Sequence, residues 1–189
     1  LLYKMEADGY LWGQMADRFL GGSGEMWIHE PDSKLSKLVN KNTQFEAFFN
    51  DNKMKFETLL KSSIKAGYID ISKINIQVPK LEFFPKIIGD ELTLYAAIGG
   101  TQGSKVILKN FCTYPSKDGG LEYSSKLRFE IYDDFGVDDS DVNGNLLKTL
   151  ALTSMWSLQH LKTTWPNKQA KPFVNKIIVE RDISGKIFV

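Results

Sequence analysis

The feature that most constrains this chain is a change in hydrophobic period partway along it. Phe45, Phe48, Phe49, Met54, Phe56, Leu59, Leu60 and Ile64 recur at close to 3.6 residues, which predicts an amphipathic helix over 44–66. Asn42 or Thr43 is placed to cap its start, and Gly67 to stop it. From residue 69 the period drops to two. Ile74-Asn75-Ile76-Gln77-Val78 alternates strictly and halts before Pro79, and Leu92, Leu94, Ala96 and Ile98 alternate with polar or small residues. The stretch Gly99-Gly100-Thr101-Gln102-Gly103 reads as a hairpin loop into Val106-Ile107-Leu108. The stretch Ser116-Lys117-Asp118-Gly119-Gly120 reads as a loop into the strand 121–132. A second helix is expected over 145–162, with Leu147, Ala151, Ser154, Leu158 and Leu161 on one face. Closing strands are expected at 173–179 and 186–189, around a turn at Ser184-Gly185. The expected fold class is α+β: an antiparallel β-meander or partly open barrel packed against two main helices.

Ahead of the long helix the pattern is mixed. Tyr10, Leu11, Met15 and Phe19 have helix-like spacing, Gly21-Gly22-Ser23-Gly24 is a break, and Met26-Trp27-Ile28 is an apolar patch ended by Pro31. Residues 1–44 are therefore taken as an N-terminal arm or linker and 45–189 as the α+β domain. The chain opens Leu1-Leu2-Tyr3 without an initiator methionine, which reads as a fragment boundary with any targeting signal upstream.

Composition removes several function classes. The formal net charge of +1 and scattered basic residues argue against a general nucleic-acid binder. One cysteine, Cys112, rules out an intramolecular disulfide, and with only two histidines a classical zinc site is not expected. No apolar run approaches the roughly 18–20 residues that span a bilayer. The Gly99–Gly103 loop lacks the spacing and Lys-Ser ending of a phosphate-binding loop.

Chemistry is concentrated around one acidic turn. Glu130, Asp133, Asp134, Asp138, Asp139 and Asp141 place six carboxylates within twelve residues. Leu127, Phe129 and Ile131 alternate on one strand face and Asp133 continues their phase, so its carboxyl points to the core side just as the strand ends. A carboxylate there is costly unless paired, hydrogen-bonded or metal-bound. Asp133 is thus the lead candidate for a general base or metal ligand, with Asp134, Glu130 and Asp138 as helpers. Asp133 and Asp138 are the pair that would hold Mg2+ or Ca2+. The competing structural role is helix capping by Asp138, Asp139 and Asp141 and simple strand termination by Asp133 and Asp134. The alternating ligands of an EF-hand are absent. His160 is a candidate general base, but along its helix it lies about 20 Å from the acidic turn, so a role beside Asp133 requires the chain to fold back. His29, beside Trp27, and Cys112, whose default role is that of a small buried apolar residue, are lesser candidates.

Three segments in order resemble a bacterial domain-of-unknown-function family found at the C-termini of secreted polymorphic toxins. They are Ala97–Gly103, the run Tyr132-Asp133-Asp134-Phe135-Gly136-Val137-Asp138-Asp139-Ser140-Asp141, and Trp156–His160 together with Lys171-Pro172-Phe173. The resemblance spans residues 45–182. It implies the toxin domain of an antibacterial effector of the type VI or Rhs-like kind, a cognate immunity protein, an upstream delivery module, and action in the periplasm of a target cell. Glu130-Ile131-Tyr132-Asp133 is also similar to the D-x-Y-D start of the colicin M-type lipid II hydrolases. That family's motif closes on His-Arg, where this chain has Asp139-Ser140. The expectation is a hydrolase of peptidoglycan or its lipid-linked precursor. The alternatives are a membrane-disrupting toxin using the Phe-rich face of the 44–66 helix, or a binding or structural module of a secretion particle.

Overall fold

A computed structural model describes residues 9–65, 80–83, 94, 98, 100–136, 156–160 and 170–188. In chain order its elements are α1 (Gly9–Gly21), β1 (Trp27–His29), α2 (Lys34–Lys41), α3 (Thr43–Lys65), β2 (Gly103–Pro115), β3 (Leu121–Phe135) and β4 (Phe173–Ile187). The strands form one open mixed sheet in the order β1-β4-β3-β2. The β2–β3 and β3–β4 pairings are antiparallel, which makes the expected meander, and β1 adds to β4 in parallel. The fold is α+β.

The long helix forms as its sequence dictates. Asn42 closes α2 through its backbone N–H to the Val39 carbonyl, and its side-chain Oδ1 then accepts the N–H groups of Gln44 and Phe45 at 2.8 and 3.2 Å. One residue therefore satisfies orphan groups of two consecutive helices. Phe45, Phe48, Phe49, Phe56 and Leu60 are buried. Met54, included in the apolar stripe on sequence grounds, is 59% exposed. At 100° per residue it sits about 180° around the helix from Phe45. The buried face lies along β3. Phe129 meets the rings of Phe45, Phe48 and Phe49 at 5.3, 5.8 and 6.0 Å, and Phe56 meets Tyr123 and Phe111 at 5.6 and 6.0 Å. Successive turns of α3 thus descend β3 in the opposite chain direction.

The described part of the N-terminal segment joins this same core. Leu11, Met15 and Phe19 of α1 and Leu35 and Val39 of α2 are buried within it. Ser33 caps α2 by accepting the Ser36 N–H at 3.2 Å. Two glycine-containing loops behave differently. The Ser116–Gly120 loop is the expected hairpin, with Gly119 at φ +82° supplying the left-handed position. The Gly99–Gly103 stretch leads into β2, but among the described residues β2 pairs only with β3. What precedes it is instead pinned to residues 81 and 82, by Thr101 bonding the Leu81 carbonyl and by a bridge between Glu82 and Gly100.

Several expectations change. Leu94 and Ile98, read as strand, are helical and buried. Their separation of four satisfies a helical face as well as an alternating one, and burial decided between them. The expected turn at Ser184-Gly185 is continuous β4, with Ser184 opposite Ser124 and Gly185 opposite Tyr123. Glycine is required there for space: a Cβ on Gly185 would lie 2.6 Å from the Tyr123 ring. Tyr123 is also held in place by its hydroxyl, which donates to Glu57 of α3. Gly185→Ala should therefore cost about 1–3 kcal/mol through overpacking. The check is urea unfolding, with Tyr123→Ala/Gly185→Ala as the partner variant that should recover none of the Tyr123 loss but show no further penalty from the methyl. Leu158, placed on a buried face by sequence, is 37% exposed on the helical turn 156–160. Cys112 is exposed rather than buried. It follows a bulge at which Asn110 takes φ 52° and Asn110 and Phe111 together oppose Ser125, which redirects the side chains beyond it. The alternating segment 74–78, the helix stop at Gly67 and most of the 145–162 helix lie outside the described residues.

Candidate functional site

Along β3 the odd-numbered residues Tyr123, Ser125, Leu127, Phe129, Ile131, Asp133 and Phe135 are buried. Asp133 keeps the core phase, as its place in the alternation predicts, and is 4% exposed. Directly across the ladder on β4 is Asn175, and this residue is fully buried at 0%. Asn175 in turn faces β1, where His29 Nε2 lies 2.9 Å from its Oδ1 and His29 is 4% exposed. Three polar side chains from three adjacent strands therefore connect across the sheet in the order Asp133, Asn175, His29; Asp133 is directly opposite Asn175, whereas His29, opposite Ile177, reaches Asn175 diagonally past its register partner Trp27.

The electrostatics of this line follow from burial. Loss of hydration pushes the Asp133 carboxyl up to about 8, and the neighbouring Asp134 charge pushes in the same direction, while the Asn175 amide opposes both. Burial also lowers His29 below its usual value. The Asn175 contact raises it, and the Arg18 guanidinium adds to the lowering. The ordinary order of a carboxyl and an imidazole is thus inverted, and at neutral pH both groups are uncharged. Asn175 Oδ1 can only accept, so Nε2 is the protonated nitrogen of neutral His29. The Asn175 Nδ2 makes no hydrogen bond of full geometry among the described residues.

The surroundings are aromatic. The Trp27 ring is 4.4 Å from that of His29, and Phe135 stacks on Phe173 at 5.1 Å with Phe19 edge-on to Phe135 at 6.0 Å. The Arg18 guanidinium lies over the rings of Trp27 and Phe173 at 5.4 and 5.5 Å. From α2, the Ser36 hydroxyl donates to the His29 carbonyl at 3.0 Å and fixes the strand carrying the imidazole.

The other residues singled out by sequence are placed elsewhere. Glu130 and Asp134 have the even phase of β3 and project from the opposite face of the sheet. Glu130 is locked there by Lys176 Nζ at 2.9 Å, the Tyr132 hydroxyl at 2.9 Å and Arg128 Nε at 3.2 Å. Burial pushes its carboxyl up, but these donors outweigh burial and hold it below the usual range. Neither residue is brought to the core side of Asp133. His160 is exposed; its ring stacks on Trp156 at 4.3 Å and its Nδ1 lies 2.8 Å from the Trp156 carbonyl. Its neighbour Gln159 lies beside Gly136, where a Cβ would be 3.4 Å from Gln159 Oε1. Asp138, Asp139 and Asp141 lie outside the described residues. Among the described residues no three His, Cys, Asp or Glu side chains gather to hold a metal.

Asn175 was missed by sequence reasoning although it carries the same signal as Asp133: a polar residue in the buried phase of Phe173, Asn175, Ile177 and Val179. His29 was assigned to the arm because three residues of strand leave almost no periodic trace. No helix among the described residues is long and apolar enough to cross a membrane. No family model, curated protein or solved structure matches this chain.

Proposed function

We propose that this chain is the toxin domain of a secreted antibacterial effector, that it acts on the target cell envelope as a hydrolase of peptidoglycan or its lipid-linked precursor, and that Asp133 is its acid–base group. The observation that carries the reading is the Asp133 carboxyl, buried at a strand end and held protonated at neutral pH. A fold gains nothing in stability from such a group, and functional sites are where such costs are retained. A carboxyl neutral at pH 7 can donate a proton to a leaving group, the role that pKa elevation serves in hydrolases. A cognate immunity protein and an upstream delivery module belong to the same reading.

A membrane-disrupting role is less well supported. The Phe-rich face of α3 on which it depends is the face packed against Phe129, Phe111 and Tyr123. The binding-module reading has one observation in its favour, the near-complete burial of Asp133, Asn175 and His29, which suits a polar core device as well as a reaction centre.

Expression in a laboratory bacterium, once in the cytoplasm and once with a periplasmic signal, separates these readings. Growth arrest only in the periplasm, abolished by Asp133→Asn in a protein that still folds, is the expected result. Arrest in both compartments, or arrest that survives Asp133→Asn, removes the envelope-hydrolase reading, and no arrest in either compartment favours the binding module.

A further inference from the structure

We infer that His29 is a proton-operated latch on β1: buried against Asn175, the neutral imidazole docks this edge strand on the sheet, and its protonation loosens the strand on mild acidification. The inference is independent of what the site hydrolyses.

The geometry carries it. β1 has three residues and lies at the edge of the sheet, paired only with β4 among the described residues. Of its two other side chains, Ile28 is 50% exposed, and Trp27 is half-buried, with its ring 6.1 Å from that of Phe173 and the Arg18 guanidinium over it. His29 is the one side chain of β1 that is buried, and its polar contact is the 2.9 Å approach to Asn175, 146 residues away in sequence. So short an edge strand has little stability of its own, and a single buried hydrogen bond is a large share of it.

The groups facing His29 set the response to pH. From α1 comes Arg18, a permanent cation. From β4 comes the Asn175 amide, whose Oδ1 accepts from Nε2 in both protonation states and favours the cation, though burial outweighs it; from α2 comes the Ser36 hydroxyl, which binds the His29 backbone. On β1 itself the neighbour is the Trp27 ring. Glu30, next in sequence, is exposed, and Asp133 on β3, with Asp134 next to it, stands beyond the Asn175 amide. When His29 takes a second proton, the new cation is buried, is repelled by Arg18, and finds no carboxylate at hydrogen-bonding distance among the described residues. Asp133 holds its own proton under the same conditions and cannot compensate. Release of β1 into water hydrates the imidazolium, so protonation favours the undocked state.

The sign follows from the direction of the shift. His29 is lowered from 6.5, so the stability it lends to docking is present above that value and is lost as pH falls towards its folded-state value. One coupled proton weakens docking by up to about tenfold per pH unit across that interval. Asp133 runs the other way, because its raised pKa makes the core more stable on acidification. The two effects are separable within one protein: as pH falls, β1 loosens while the β3 core tightens.

The test is amide hydrogen exchange of the full chain from pH 7.5 to 5.0, corrected for intrinsic exchange rates, following β1 and residues 127–131 of β3 together, with NMR titration of the His29 ring. The expected result is a fall in β1 protection of about tenfold or more while β3 protection holds or rises, with the decline absent in His29→Gln. The inference is overturned if β1 and β3 protection move together, if His29→Gln shows the same decline, or if the wild-type ring titrates at or above 6.5. The ring titration and the wild-type exchange decide the matter even if His29→Gln does not fold.

Discussion

Asp133→Asn is expected to stabilise the protein at pH 8 by about 2–4 kcal/mol and to leave it nearly unchanged at pH 4. The wild-type carboxyl is raised from 3.8 to about 8 by burial. Its contribution to stability is therefore fully present below about pH 4 and is lost progressively as pH rises to about 8. Above that range the folded protein must bury an ionised carboxylate beside Asp134 with only the Asn175 amide to help. Asparagine keeps the size and never ionises, so the variant loses the pH dependence and nothing else of comparable size. Against a typical total stability of roughly 5–15 kcal/mol the effect is large. Comparing urea unfolding of the two proteins at several pH values isolates Asp133, because the contribution of His29 is common to both. Parallel pH profiles would show that Asp133 is not a buried acid and would remove the central observation behind the proposed function. A variant that is both more stable and inactive would mark a position where stability is given up for activity.

Phe129→Ala should be among the most damaging single substitutions, with a loss of about 3–5 kcal/mol. Its side chain is fully buried and its ring meets those of Phe45, Phe48 and Phe49, so it joins α3 to the centre of β3. Truncation removes the transfer free energy of a benzyl group and leaves a cavity that three rings on one rigid helix cannot collapse to fill. Met54→Ala on the opposite face of the same helix is the control and should change stability by no more than about 0.5 kcal/mol. Thermal or urea unfolding of both decides the point. A loss below about 1.5 kcal/mol for Phe129→Ala would mean that α3 does not rest on β3 as described.

Much of the framework is legible in the amino-acid order because it is local. Asn42 before a Phe-rich 3.6-residue stripe announces α3 and its cap, and the alternation of Leu127, Phe129 and Ile131 carries Asp133 into the core phase without reference to any other strand. The Ser116–Gly120 hairpin is encoded by a glycine at a left-handed position. Of the three residues of the candidate site, Asp133 was readable in this way, and Asn175 and His29 were not. Whether Glu130 joins Asp133 is a question of phase that alternation already answers in the negative, yet proximity in sequence suggested otherwise. Asn175 becomes the partner of Asp133 only through the β3–β4 register, and His29 reaches Asn175 only because a three-residue strand adds in parallel at the far edge. Tertiary packing also decided between helix and strand at Leu94 and Ile98, and made Gly185 a matter of clearance for Tyr123 rather than of a turn. The division has one physical cause. Side-chain period and capping depend on neighbours a few residues away, whereas pairing, register and the burial of a polar group depend on contacts between residues distant in sequence, 146 positions apart for His29 and Asn175, which no local pattern specifies.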